Sequence, residues 1–72
     1  SDELAGVIDA AVARLTRRDQ QMGDFIWLYF GAKWPMLRLG RHYGISESKA
    51  REVVRAGVAW IDCVLETLRR AA

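Results

Sequence analysis

Apolar residues recur at intervals of three and four along nearly the whole chain, and stretches in which apolar and polar residues strictly alternate are few. An interval of three or four is the period of an amphipathic helix, whereas a half-buried strand repeats every second residue. A chain of 72 residues buries only about 60% of the surface that its unfolded form exposes, so it holds one small core. The sequence therefore predicts a single all-α domain over residues 1–72.

Capping and turn residues divide this domain into four helices. Asp19 and Ser46 suit helix N-caps, Pro35 suits a first helical position, and Gly31 is expected to end the second helix. No proline follows Ser46, so the last helix is expected to be long, with Gly57 as the place for a bend. The predicted helices cover residues 2–17, 19–30 and 35–43, and the fourth runs from just after Ile45 to the end of the chain.

The helical stripes also predict the core, because residues that share the inner side of each helix pack together. Trp27, Trp34 and Trp60 are further core candidates, although Trp34 could instead be an exposed anchor for a partner. Cys63 lies beside the stripe of the last helix and is expected at or near the core. The residues predicted to be largely buried are Leu4, Ile8, Val12, Leu15, Ile26, Tyr29, Leu39, Ile45, Val53, Ile61 and Val64.

The segment around the last turn, between the third and fourth predicted helices, carries the most specific pattern. A helix-turn-helix needs a small residue where its helices approach and a glycine in the turn, which are Gly40 and Gly44. It also needs an apolar residue after the turn, Ile45, and apolar anchors on the second helix, Ala50 and Val53. All five stand in register, so the sequence predicts a four-helix domain that contains a helix-turn-helix and a long C-terminal helix.

In a helix-turn-helix, the exposed start of the second helix contacts DNA. Ser48 and Lys49 fall in its first turn, where base edges are reached, and Arg51 and Arg55 are spaced to hold phosphates. His42 is expected at the surface or beside a phosphate. In the alternative interpretation, this segment is only a tight corner between helices and its charges are a solvated face. The candidate DNA-binding residues are Arg38, Arg41, Ser46, Ser48, Lys49, Arg51 and Arg55.

Composition limits the classes of function. A net charge of +2 and a pI near 9.1 permit an anionic partner without requiring one. The lone Cys63 completes neither a disulfide nor a cysteine-based zinc site, which favours a reducing compartment. Paired carboxylates, a nucleophile with a base and a phosphate-binding loop are not evident, so no catalytic role is expected. We also expect no cofactor, no metal, no membrane span and a cytoplasmic location.

Four segments together resemble the bacteriophage antitermination protein Q family. They are DAAVARL at 9–15, FIWLYF at 25–30, LGRHYGIS at 39–46 and AWIDCVL at 59–65. The order of an amphipathic helix, an aromatic helix, a helix-turn-helix and a long closing helix is similar to that family over nearly the whole chain. The helix-turn-helix of sigma-factor region four is also similar and is a weaker match.

The resemblance implies a phage regulator that acts in the host bacterial cytoplasm. Members of the family bind DNA near the late promoter, engage paused host RNA polymerase and let it pass terminators. Carried over by position, Ser48, Lys49, Arg51 and Arg55 would contact double-stranded DNA. Members are usually longer, and some carry a cysteine-rich zinc insertion that this sequence lacks.

Two functions therefore stay open. The first is a DNA-binding regulator of transcription that acts with RNA polymerase. The second is a protein-protein module that binds and inhibits or modifies the polymerase without contacting DNA, which the weak net charge favours. The second helix is apolar nearly all round, so it can present an exposed apolar side to a partner in either function. The candidate partner-binding residues are Trp27, Phe30 and Trp34.

Overall fold

Four helices make up the part of the chain that the computed structural model describes, the backbone of residues 2–71 and the side chains of residues 6–70. The first is α1 and the second, α2, continues into a π-helical turn; α3 and α4 follow. Over this described range there is no strand, so the prediction of a small all-α domain with a long final helix is confirmed. The bounds are Asp2–Arg18 for α1, Gln20–Ile26 for α2, Trp27–Gly31 for the π-helical turn, Met36–Tyr43 for α3 and Glu47–Ala71 for α4.

A single residue, Asp19, separates α1 from α2. Its backbone is extended and its carboxylate accepts a hydrogen bond from the Met22 N–H at 3.1 Å. The predicted N-cap is thus confirmed, and it satisfies a donor that has no partner within the helix. Gly23 lets the two helices meet closely, because a Cβ there would lie 2.6 Å from the Thr16 Cα.

The second helix ends at Gly31, as predicted, but its final turn is not α-helical. Its last five residues form a π-helical turn, in which the Ala32 N–H donates to the Trp27 carbonyl at 3.2 Å. Gly31 is the last residue of that turn, and the chain changes direction at Lys33, whose φ is +62°. The left-handed conformation falls here on a residue with a Cβ, where it is less favourable than at glycine.

The core lies where α1, α2, α3 and α4 meet. Phe25, Leu15 and Leu39 are its largest fully buried side chains. The predictions for Val12, Leu15, Ile26 and Leu39 are confirmed, whereas Tyr29, Ile45, Val53, Ile61 and Val64 are only half-buried. The buried apolar residues are Ala11, Val12, Leu15, Phe25, Ile26, Leu39, Ala50 and Val54.

Three placements predicted near the core are wrong. Ile8 is 39% exposed, Trp27 is 58% exposed, and Cys63 is exposed. Each lies at the edge of its helix stripe, where a small rotation of the helix about its axis decides between core and solvent. Trp60 packs half-buried against the core, and the side chain of Leu4 lies outside the described residues.

Gly57 permits a close helix crossing. A Cβ at this position would lie 2.8 Å from the Ile26 side chain and 3.2 Å from the Met22 Cγ. The predicted bend is not needed to explain the glycine, because α4 is continuous through it and α2 crosses against it. No helix within residues 2–71 has the length and apolar character to span a membrane.

Candidate nucleic-acid interface

The α3–α4 corner, residues 40–46, is fixed by backbone geometry. Gly44 is left-handed, with φ +70° and ψ +31°, and its N–H points to the Arg41 carbonyl at 3.4 Å. The Ile45 N–H donates to the Gly40 carbonyl at 2.9 Å. This pair of bonds is a Schellman motif, which closes a helix C-terminus and sets the direction of the chain that follows.

Gly40 permits a close approach at this corner, but not the approach between the two helices that was predicted. A Cβ there would lie 2.7 Å from the Ile45 carbonyl oxygen and 3.2 Å from the Ser46 carbonyl group. The close neighbour is therefore the backbone of the turn itself rather than the second helix. Ile45 follows the turn and packs half-buried against the core, so it ties the start of α4 to the rest of the domain.

Ser46 is the N-cap of α4. Its Oγ accepts a hydrogen bond from the Lys49 N–H at 3.0 Å, and its carbonyl accepts one from the Ala50 N–H at 2.9 Å. The hydroxyl hydrogen stays available to a phosphate oxygen. Ser46 therefore has a structural role that does not depend on its predicted contact with DNA.

The exposed side of the first turns of α4 carries the basic face, which we define as Ser48, Lys49, Arg51 and Arg55. All four are exposed, while Ala50 and Val54 on the same helix are buried. The alternation follows from helical periodicity, which turns these charges away from the core. The predicted site residues of α4 thus all lie at the surface.

Two glutamates reduce the net positive charge around this face. The Lys49 Nζ lies 3.5 Å from a Glu52 carboxylate oxygen, and the Arg51 Nη2 donates to Glu47 at 3.2 Å. Arg55 has no ion pair with any carboxylate within residues 6–70. Three basic and two acidic side chains leave this segment with one net positive charge.

On α3, the predicted contact residues Arg38 and Arg41 are exposed and one turn apart. The Arg38 guanidinium stacks on Trp34, with its carbon 3.9 Å from the ring centroid. The His42 ring packs in a T-shaped arrangement against the same indole, with centroids 5.3 Å apart. Trp34 is thus a half-buried support for α3 rather than a neighbour of Trp27 and Phe30.

Trp27 and Phe30 border a groove of about 310 Å³ between α1, α2 and α4. They are 58% and 49% exposed, so the predicted apolar surplus of the second helix is present at the surface. Of the three predicted partner-binding residues, these two are brought together and Trp34 is not. The groove is lined by Ile8, Asp9, Val12, Ile26, Trp27, Phe30, Gly31, Val58, Ile61 and Asp62.

The prediction from sequence missed the aspartates that border this groove. Asp9 comes from α1 and Asp62 from α4, and Asp24 of α2 lines an adjoining hollow with Asp9 and Trp27. Asp9 and Asp62 each directly follow an isoleucine of an apolar stripe. The sequence signal for these residues is an isoleucine followed by an aspartate in two different helices. It points to a shared groove only once α1 is known to lie beside α4.

The side chain of Tyr43 connects α3 to α2. The Tyr43 ring packs on Phe25, with centroids 4.6 Å apart. Burial, and then the negative charge of Asp24, raise the pKa of the Tyr43 phenol above its usual value. Because Tyr43 is the last residue of α3, this contact helps to hold the helix that precedes the corner.

The described residues offer no group of three or more His, Cys, Asp or Glu side chains that could hold a metal ion. The candidate site is thus a surface made of a fixed corner, a basic face and, apart from them, an apolar groove. No protein-family model, curated protein or solved structure matches this chain.

Proposed function

We propose that this protein is a phage-type, antiterminator-like transcription regulator that binds double-stranded DNA through its basic face and acts on host RNA polymerase. The observation that carries the proposal is the α3–α4 corner, where a Schellman motif holds an exposed, basic helix start in one orientation. A recognition helix has to be presented in this way, because its N-terminal residues enter the major groove. The resemblance to the antitermination protein Q family supports the same function.

In this function the residues of the basic face divide by position. Ser48 and Lys49 lie in the first turn of α4, where side chains reach base edges in the major groove. Arg51 and Arg55 lie one turn apart and contact phosphates, which fix the register of the protein on the duplex. The positive N-terminal end of the helix dipole adds to the attraction for phosphate.

The two glutamate pairs do not block this use. Exposed ion pairs of this kind contribute only about 0.2–1 kcal/mol each, so a phosphate can replace the glutamate at small cost. The glutamates do reduce the non-specific attraction for DNA, which depends on net positive charge. The proposal therefore predicts binding that is weak on random DNA and falls with salt, with a slope of about −1.8 from two phosphate contacts.

The alternative function, a module that binds and inhibits or modifies the polymerase without contacting DNA, is favoured by a different observation. The groove beside Trp27 and Phe30 is apolar and exposed, as protein-binding surfaces are. The basic face would then be a solvated surface. The two functions differ in one measurable property, the dependence of binding on DNA.

The test replaces Lys49, Arg51 and Arg55 together by alanine. We expect the variant to stay folded, because exposed charges usually change stability by less than about 0.5 kcal/mol each. Each lost phosphate contact should reduce the slope of log affinity against log salt by about 0.9. The matched control removes the three charges of Arg14, Arg17 and Arg18 on α1, which are exposed and outside the corner.

DNA binding that is equal in the triple variant and the parent would refute the proposed interface, and so would equal losses in the variant and the control. Capture of RNA polymerase from a bacterial lysate is then measured with and without nuclease. Capture that survives nuclease in a protein that does not bind DNA would favour the alternative function. Absence of both DNA binding and capture would refute both functions.

A further inference from the structure

The groove beside Trp27 and Phe30 combines an apolar floor with aromatic walls. Val12 and Ile26 of the core lie at its base, and Ile61 of α4 packs beside them. Trp27 and Phe30 stand at its border in the π-helical turn. An apolar, exposed lining of this kind suits the apolar side of a partner helix.

The charges at this groove are acidic although the chain as a whole is basic. Asp9 and Asp62 line it, and Asp24 lies in the adjoining hollow. None of the three forms an ion pair with a basic side chain within residues 6–70. In contrast, the described glutamates at 47, 52 and 66 are all paired. The aspartates beside the apolar floor are therefore free to attract positive charge from a partner.

We propose that this aspartate-bordered groove binds a basic amphipathic helix of another protein. Apolar residues at intervals of three and four on that helix contact the groove floor. Lysine or arginine residues that flank them pair with Asp9 and Asp62, and the exposed face of Trp27 accepts a cation. The inference rests on the protein-binding part of the proposed function, for which it supplies the chemistry of the partner.

A second copy of the chain fits this groove less well. In a two-fold symmetric dimer the same patch meets itself. Two copies of this groove would bring Asp9 and Asp62 of one against the same carboxylates of the other. Like charges opposed in this way disfavour an interface. A partner helix with basic flanks is complementary in charge to the groove, whereas a second copy of the groove is not.

The experiment uses two synthetic helical peptides with identical leucines on one side. One carries lysines at the flanking positions and the other carries glutamates. Binding is followed by fluorescence anisotropy of labelled peptides, and the contact surface by amide chemical shifts of the whole chain. We expect the lysine peptide to bind about tenfold more tightly than the glutamate peptide, from two exposed ion pairs, with shifts at Trp27, Phe30 and Asp62.

The charge-reversal variant Asp9→Lys, Asp62→Lys should exchange this preference, because both residues are exposed and the floor is unchanged. The control variant Glu47→Lys, Glu52→Lys makes the same change in net charge on the start of α4 and should keep the preference for lysine. Equal binding of both peptides, shifts outside the groove or an unchanged preference in the charge-reversal variant would overturn the inference. Shifts at the groove on self-association without peptide would assign it to a second copy and also overturn it.

The same samples are titrated with double-stranded DNA at several salt concentrations. If the protein binds DNA in a salt-dependent way but does not bind the lysine peptide, this inference is refuted and the proposed DNA interface is supported. If the protein binds the lysine peptide at the groove but does not bind DNA, the proposed role of the groove is supported and the proposed DNA interface is refuted. The two failures are thus distinguishable in one set of measurements.

Discussion

Replacement of Gly40 by alanine tests whether the α3–α4 corner depends on close backbone contact. The new Cβ would lie 2.7 Å from the Ile45 carbonyl oxygen, well inside the 3.4 Å at which ordinary contact begins. The neighbour is backbone, so relief requires movement of the turn and of the start of α4. Overpacking of this kind costs about 1–3 kcal/mol, and the better helix propensity of alanine returns about 0.5–1 kcal/mol. We expect a net loss of about 1–2 kcal/mol.

Thermal unfolding followed by far-ultraviolet circular dichroism measures this change. In a domain of this size each kcal/mol shifts Tm by about 4–8 °C, so Gly40→Ala should lower Tm by about 5–15 °C. Gly6→Ala is the matched control, because Gly6 is also helical but has no atom within 4 Å of the built Cβ. It should stabilise the domain by about 0.5–1 kcal/mol. If both variants raised Tm alike, the close contact at the corner would be refuted.

Four further substitutions have expected outcomes. Gly23→Ala places a Cβ 2.6 Å from the Thr16 Cα, so we expect a loss of about 2–3 kcal/mol in urea unfolding; Gly57→Ala meets side-chain atoms that can move and should cost less. Burial raises the pKa of Tyr43, so the neutral phenol stabilises the fold below its usual pKa of about 10 and this contribution is lost as the pH rises through the folded pKa. Wild type should therefore lose stability more steeply than Tyr43→Phe in alkaline unfolding series, and equal slopes would refute this. Lys33→Gly removes a Cβ from a left-handed residue and should stabilise by about 0.5–1 kcal/mol in thermal unfolding, and a lower Tm would contradict it.

Features that depend on local chemistry were predictable from the sequence. The caps at Asp19 and Ser46 and the left-handed Gly44 follow from the preferences of single residues in short segments. The α4 residues of the basic face were predictable for a related reason. Their exposure follows from the helical period once Ala50 and Val54 are taken as the inner side.

Features that depend on how helices pack were not predictable. Whether Ile8 and Trp27 face the core is decided by the rotation of each helix against its neighbours, which no local pattern encodes. The π-helical turn has no residue signature of its own in this chain. The groove with its aspartates forms only where three helices meet, so its members stand far apart in sequence.

In the proposed function, the unbroken course of α4 fixes how a DNA duplex and a protein partner would be arranged relative to each other. Arg55 and Asp62 are seven positions apart in α4, which is about two helical turns and about 10 Å along the axis. They therefore lie on nearly the same side of this helix. A duplex held at the basic face and a protein held at the groove then keep a fixed rotational relation to each other. Moving the DNA site by half a turn of the double helix, about five base pairs, would carry the bound partner to the opposite side of the duplex.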